Sequence, residues 1–141
     1  MRKGEIFGLK WSNICFDYGF IELTETKSGK SRKIPITKTM LEVLNQQPRI
    51  SEYVFINKDT GKPYVDIKHA FSTVLKKANI TNFRFHDFRH SVATRLVEKG
   101  VPLPVVQEIL GHAKITTTMR YAHVVAKQKI EAMDVLDKYC A

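Results

Sequence analysis

The spacing of apolar residues changes once along this 141-residue chain, and that change limits the folds open to it. Residues 14–36 hold three short runs rich in β-branched and aromatic residues, the first two joined at Tyr18-Gly19, as is typical of strands. After Pro35 the apolar residues recur at three- and four-residue intervals, as on one face of a helix. The sequence therefore predicts a mainly α chain (α+β) with a small three-stranded antiparallel sheet near its N-terminus.

Glycine, proline and short polar residues set the predicted helix boundaries. A short polar side chain before a helix accepts a hydrogen bond from the first turn, and a glycine after the last turn adopts the left-handed conformation that ends it. Three helices are predicted in the first part of the chain: one ending by Trp11, one capped by Thr37 and one capped by Asp66. Four more follow: one over His86–Lys99 closed by Gly100, one opened by prolines and closed by Gly111, one over residues 116–125, and a tail helix over Lys127–Tyr139. In the helix capped by Asp66, we expect Ile67, Ala70, Phe71, Val74 and Leu75 to face inward. No linker or repeat separates these elements, so we expect one domain over residues 1–141.

The charge balance favours a polyanionic partner. The chain has 23 Lys and Arg against 14 Asp and Glu, a net charge of +9, which is typical of proteins that bind nucleic acid. No run reaches the roughly 18 apolar residues of a membrane span, and no signal peptide opens the chain. We therefore expect a cytoplasmic protein with no membrane partner, in which Cys15 and Cys140 are reduced and hold no metal.

The hexapeptide "FHDFRH", residues 85–90, allows two interpretations. On a helix His86 and His90 are four residues apart and share a face, with Asp87 where a zinc protease of the H-E-x-x-H type has its glutamate. His86 and Arg89 also share a face, and an imidazole beside a guanidinium suits a phosphate better than a metal ion. Arg89 would place a fixed cation beside a zinc ion, and no third ligand stands out, so the phosphate interpretation is favoured.

Further basic residues and a tyrosine accompany this hexapeptide in a fixed order. Arg2 opens "RKGEIFGLKW", Lys27 lies in the turn between the second and third β runs, "LGH" ends at His112, and Tyr121 follows nine residues later. This order of R, K, HxxR, LGH and Y resembles the tyrosine recombinases, the phage integrase family of DNA-breaking and rejoining enzymes. The resemblance extends from the first residue to about Val124.

The resemblance assigns a role to each matching residue. It makes Tyr121 the nucleophile and Glu5 a buttress of the site. We interpret His90 and His123, by contrast, as packing and hydrogen-bonding residues that accompany the motifs. The expected catalytic residues are Arg2, Lys27, His86, Arg89, His112 and Tyr121. It also implies the catalytic-domain fold of that family, with the upstream catalytic helices and a separate DNA-clamping domain absent from this chain. The implied partner is double-stranded DNA, bound by a homo-oligomer, and we expect the fragment to self-associate.

Elementary chemistry agrees with those roles. Attack on a phosphodiester adds negative charge to its non-bridging oxygens, which guanidinium groups can stabilise in place of a metal ion. A phenol with a pKa of about 10 is only about a thousandth ionised at neutral pH, so the cationic cluster, with His86 as a possible base, must assist Tyr121. Lys27 would protonate the departing 5′-oxygen. We therefore expect a 3′-phosphotyrosine intermediate and no cofactor or metal.

Two other functions stay open on the sequence. One is a DNA-binding remnant of a recombinase that no longer cuts. The other, more remote, is a zinc metalloprotease-like site at His86 and His90.

Overall fold

The computed structural model describes residues 1–24, 31–125 and 133–134. Its contacts divide the chain into two compact units, Met1–His86 and Asp87–Ala141. The elements in chain order are α1 (Lys3–Phe7), a 3₁₀ turn (Trp11–Asn13), β1 (Ile14–Cys15), β2 (Phe20–Leu23), β3 (Arg32–Pro35), α2 (Lys38–Asn45), α3 (Lys68–Lys77), α4 (Asp87–Glu98), α5 (Leu103–Leu110), α6 (Ile115–Thr118) and a second 3₁₀ helix (Met119–Val125). The predicted fold class is confirmed. Lys27 and nearly all of the predicted tail helix lie outside the described residues.

The three-stranded sheet gives the first unit its core. The strands pair antiparallel in the order β1-β2-β3, with Ile14 opposite Ile21 and Ile21 opposite Ile34. These three isoleucines are buried together with Leu9, Leu23, Leu44 and Val54. Because side chains alternate between the two faces of a strand, Arg32 lies on the same buried side of β3 as Ile34. The sheet thus carries a guanidinium into the interior of this unit.

Helix α2 begins as predicted, whereas α3 begins at Lys68, one residue later than a cap at Asp66 predicts, and buries less than expected. Thr37 caps α2, since its hydroxyl accepts a hydrogen bond of 3.2 Å from the Met40 amide. The Asp66 carboxylate likewise accepts bonds from the first amides before and in α3. Ala70 and Val74 are exposed, however, so the inward face of α3 is a single row of half-buried residues at four-residue spacing: Ile67, Phe71 and Leu75.

The second unit is a set of short helices, of which α4 and α5 end at glycines. Gly100 and Gly111 have φ values of 80° and 67°, the left-handed conformation predicted for residues that end α4 and α5. Helix α4 begins at Asp87 and not at His86, which lies in the preceding turn. The buried core of the unit consists of Ala93, Val97, Val106, Leu110 and Tyr121. Over residues 1–24, 31–125 and 133–134, no helix is long and apolar enough to cross a membrane.

Candidate active site

Arg2 is held at the start of α1 by Glu5. The Arg2 amide and its Nη1 donate to the two Glu5 carboxylate oxygens at 2.6 and 3.1 Å. Arg32 donates its Nη2 to Glu5 Oε2 at 2.7 Å from the buried face of β3. The side chains of Glu5 and Arg32 are only 9% and 6% exposed, whereas that of Arg2 is 32% exposed. One buried carboxylate therefore anchors two arginines and leaves the guanidinium of Arg2 at the surface.

The same ion pairs set the ionisation of Glu5. Burial alone would raise the pKa of the Glu5 carboxyl, but hydrogen bonds from the Arg32 side chain and the Arg2 backbone, with the charge of Arg32, hold that pKa below its ordinary value of 4.5. Glu5 is therefore ionised at neutral pH. Its charge stabilises the folded unit above the ordinary pKa of a glutamate, and this stabilisation is lost as pH falls through the lowered folded-state pKa.

Replacing Glu5 with glutamine should destabilise the first unit by roughly 3 kcal/mol at neutral pH, because buried Arg32 loses its counter-charge. The deficit should narrow as pH falls below roughly 4, since the wild type then loses the same charge. Urea unfolding followed by the fluorescence of Trp11, the single tryptophan of the chain, measures this. The control is Glu42→Gln, an exposed site on α2. Equal stability of the two variants at every pH would show that the carboxylate has no such role.

His86 lies at the end of the first unit, exposed, in the turn before α4. It lines a surface pocket of about 470 Å³ together with phenylalanines and basic side chains. The lining includes Lys3, Lys68, Phe71, Phe83, Arg84 and Phe85. Asp66, on the same pocket, pairs with Lys3 Nζ at 2.9 Å. The pocket thus combines cations with aromatic rings, which are the groups that contact phosphates and bases.

In the second unit, α4 places Arg89 against the C-terminal end of α5. Arg89 is 7% exposed, and its Nη2 donates a hydrogen bond to the backbone carbonyl oxygen of Leu110, the last residue of α5. The last carbonyls of a helix lack partners within the helix and lie at the negative end of its dipole. One arm of the guanidinium is therefore fixed by the backbone, which orients the planar group.

His112 owes its position to the way α5 ends. Gly111 adopts the left-handed conformation, and the amides of Gly111 and His112 bond to the carbonyls of Glu108 and Gln107 at 3.0 and 3.1 Å. These two hydrogen bonds together form a Schellman motif. The His112 ring is then oriented by a bond of 2.9 Å between its Nδ1 and the hydroxyl of buried Thr118.

Tyr121 has a buried ring and a hydrogen-bonded hydroxyl. Tyr121 as a whole is 8% exposed, and its ring packs in the core of the second unit with Ala93, Val97 and their neighbours. Burial raises the pKa of the Tyr121 hydroxyl above its ordinary 10.0, while the positive charges of Arg89 and Arg120 act to lower it. Arg89 is thus close enough to Tyr121 to stabilise the negative charge of its phenolate form.

The Tyr121 hydroxyl shares a hydrogen bond of 2.6 Å with Nδ1 of His90. The packing and hydrogen-bonding role predicted for His90 did not include a contact with Tyr121. The available signal was its position on α4, three and seven residues before buried Ala93 and Val97. A histidine at the edge of such a buried face requires a polar partner.

Comparison with known proteins identifies the family. The model of the "Phage integrase family" matches residues 1–128. The chain belongs to the phage integrase family. It is 35% identical to the tyrosine recombinase XerA of Pyrococcus horikoshii over 95% of this chain and 50% of that protein. It is 32% identical to the integrase of Salmonella phage P22, over 97% and 39%. The chain thus spans about half the length, or less, of these curated relatives.

Solved integrase structures share the fold. The catalytic domain of bacteriophage HP1 integrase matches with a TM-score of 0.70 and 28% identity, covering 95% of this chain and 73% of that one. The Tn1549 transposon integrase in complex with a circular intermediate DNA matches with a TM-score of 0.78 and 25% identity, covering 96% and 54%. Both have the mainly helical fold with a small sheet that the sequence predicted for this integrase-family chain.

The zinc protease interpretation receives no support from this integrase family or from the site. Nδ1 of His90 is engaged by the Tyr121 hydroxyl, and His86 precedes α4, so the two histidines do not lie together on one helix. In the described portion of the chain, no three His, Cys, Asp or Glu side chains cluster where they could hold a metal ion.

The six predicted catalytic residues fall into three groups. Arg2 and His86 lie in the first unit, and Arg89, His112 and Tyr121 lie in the second. Lys27 is outside the described residues. Within the second unit, Arg89 and Tyr121 are brought together, and His112 follows the helix end that Arg89 contacts. The roles of all six remain predictions.

Proposed function

We propose that this chain is the DNA-cleaving part of a tyrosine-type site-specific recombinase, which breaks and rejoins strands through a 3′-phosphotyrosine intermediate. The observation that carries the proposal is a tyrosine hydroxyl acted on by a buried, oriented arginine, in a chain of the phage integrase family. Arg2, Lys27, His86, Arg89, His112 and Tyr121 are the proposed catalytic residues.

The arginines stabilise the charge that develops on phosphorus. Arg89 is held by Leu110, and Arg2 by Glu5, before any substrate arrives. Each preorganised donor aimed at a developing oxyanion contributes roughly 3–4 kcal/mol to the rate where water is excluded. We propose His112 and His86 as further hydrogen-bond donors to phosphate.

Strand transfer follows from the bond that Tyr121 forms. Its oxygen attacks phosphorus, the bond to the 5′-oxygen breaks, and Lys27 protonates that departing oxygen. The phosphotyrosine linkage remains a phosphodiester, so a second 5′-hydroxyl can reverse the attack and join a new strand. Exchange between two duplexes requires cuts in several strands, and we propose that several copies of the protein act together on DNA.

Double-stranded DNA is the proposed partner. The net charge of +9 provides attraction to phosphates, and solved relatives include an integrase in complex with DNA. Affinity should fall with salt at a log–log slope of about −0.9 for each phosphate neutralised. Fluorescence anisotropy with labelled duplexes over a salt series measures the slope, and affinity that is independent of salt would contradict this mode of binding.

A trapping assay tests the proposed function. Nicked duplexes of randomised sequence release a short fragment after cleavage, which prevents religation and leaves protein covalently joined to DNA. We expect an adduct that survives denaturing electrophoresis, and sequencing of its DNA would give the preferred site. DNA retained only under native conditions would identify a non-cutting DNA-binding protein.

Excess chelator should leave adduct formation unchanged within about twofold, because the proposed electrophilic assistance comes from arginines and not from a metal ion. The measurement is the rate of adduct formation after dialysis against a chelator. A rate that collapses on dialysis and returns with a stoichiometric divalent ion would contradict the mechanism.

A further inference from the structure

The shortest described contact of the Tyr121 hydroxyl is the one to His90. The distance from Nδ1 to the phenolic oxygen is 2.6 Å, and the two rings lie 6.1 Å apart, tilted by 47°. Both residues are within the second unit, His90 on α4 and Tyr121 on the 3₁₀ helix that follows α6. A general base must lie roughly 2.6–3.2 Å from the atom that carries its proton. His90 meets this requirement before DNA is bound.

We propose that His90 is the residue that accepts the Tyr121 proton during strand cleavage. The inference deepens the proposed function and rests on it. The sequence predicted only a packing and hydrogen-bonding role for His90, with His86 as the candidate base. His90 contacts the reacting oxygen itself, which makes it a catalytic residue under this proposal.

The step conserves atoms and charge. A lone pair of the Tyr121 oxygen forms the bond to phosphorus, the phenolic proton passes to Nδ1 of His90, and the bond from phosphorus to the 5′-oxygen breaks. Lys27 gives its proton to that oxygen. On religation an incoming 5′-hydroxyl attacks phosphorus and loses its proton to the neutral Lys27. Tyr121 then departs and takes its proton back from His90.

The surroundings of Tyr121 point to His90 as the acceptor. The charged groups that act on its hydroxyl are Arg89 from α4 and Arg120 from its own 3₁₀ helix, and a guanidinium has no acceptor atom and stays protonated. Among the described side chains of this unit, His112, between α5 and α6, is also titratable, and its Nδ1 bonds to Thr118. Burial raises the pKa of Tyr121, so little phenolate is present at neutral pH and a direct acceptor for the proton assists attack.

Two variants separate proton transfer from positioning. In His90→Asn an amide oxygen replaces Nδ1 as hydrogen-bond acceptor but takes up no proton, and in His90→Ala both functions are lost. We expect both variants to cleave roughly 10²–10⁴-fold more slowly at neutral pH, with DNA affinity unchanged. His69→Ala, an exposed site on α3, is the control and should cleave like the wild type.

The dependence of cleavage on pH gives the signature of a base. The wild-type rate should depend only weakly on pH near neutrality, because the phenolic proton passes directly to His90. The rates of the two variants should keep rising about tenfold per pH unit, because they depend on the phenolate, so the defect shrinks toward alkaline pH. A purely structural defect would show the same factor at every pH.

An NMR measurement tests the pairing without DNA. In ¹⁵N-labelled wild type at neutral pH, Nδ1 of His90 should be the nitrogen without a proton, and Tyr121→Phe should change its shift. A protonated Nδ1 in neutral His90, or an unchanged shift, would overturn the inference. So would wild-type cleavage kinetics in His90→Asn. If the wild type forms no covalent adduct, the proposed function itself fails, and the two failures are thereby distinguished.

Discussion

Replacing Tyr121 with phenylalanine should abolish the covalent protein–DNA adduct and leave DNA affinity within about twofold of the wild type. Only the phenolic oxygen is removed, and that oxygen is the proposed nucleophile. The ring that packs in the core of the second unit is kept, and loss of the hydrogen bond to His90 should lower stability by only about 1 kcal/mol. The measurement is adduct yield on nicked duplexes, beside native binding curves.

The matched control is Tyr18→Phe, which removes the same atom from a residue that is 81% exposed in the first unit. Its adduct yield should equal that of the wild type. An adduct that persists in Tyr121→Phe would show that another residue attacks phosphorus.

Replacing Arg89 with lysine should slow cleavage by roughly 10²–10³-fold, although the charge is kept. The guanidinium of Arg89 uses one nitrogen to bond the Leu110 carbonyl, and its planar fork directs the others. A lysine ammonium that keeps this bond has no second nitrogen to offer a phosphate. Single-turnover cleavage rates at saturating protein measure the effect, and Arg2→Lys should change the rate in the same direction.

Arg95→Lys provides the control, because Arg95 is an exposed residue of the same helix. It should cleave like the wild type, and circular dichroism should report the same helix content for both variants. Cleavage near the wild-type rate in both Arg89→Lys and Arg2→Lys would place the catalytic charges elsewhere.

The features that the sequence predicted well are determined by local chemistry. Thr37 and Asp66 bond to amides within two or three residues, and Gly100 and Gly111 end helices through their own backbone conformation. The sheet was predictable because alternation and turn residues operate over a few positions. The order of the catalytic motifs was recognisable for a different reason, since a motif is a pattern of residue types and needs no knowledge of distances.

The features that the sequence did not predict depend on pairs far apart in the chain. Arg32 meets Glu5 across 27 positions, and His90 meets Tyr121 across 31. Neither pair has a spacing that a helix or strand would reveal. Arg32 and His90 therefore could not be distinguished in the sequence from ordinary polar residues. The narrow inward row of α3 was also missed, because helical periodicity predicts a face but not how much of it a neighbour covers.

Mass spectrometry of the trapped adduct tests the central claim most directly. After protease and nuclease digestion of the wild-type adduct, the account predicts one modified peptide, with a nucleotide joined through its 3′-phosphate to the oxygen of Tyr121. Attachment to any other residue, or through a 5′-phosphate, would contradict it.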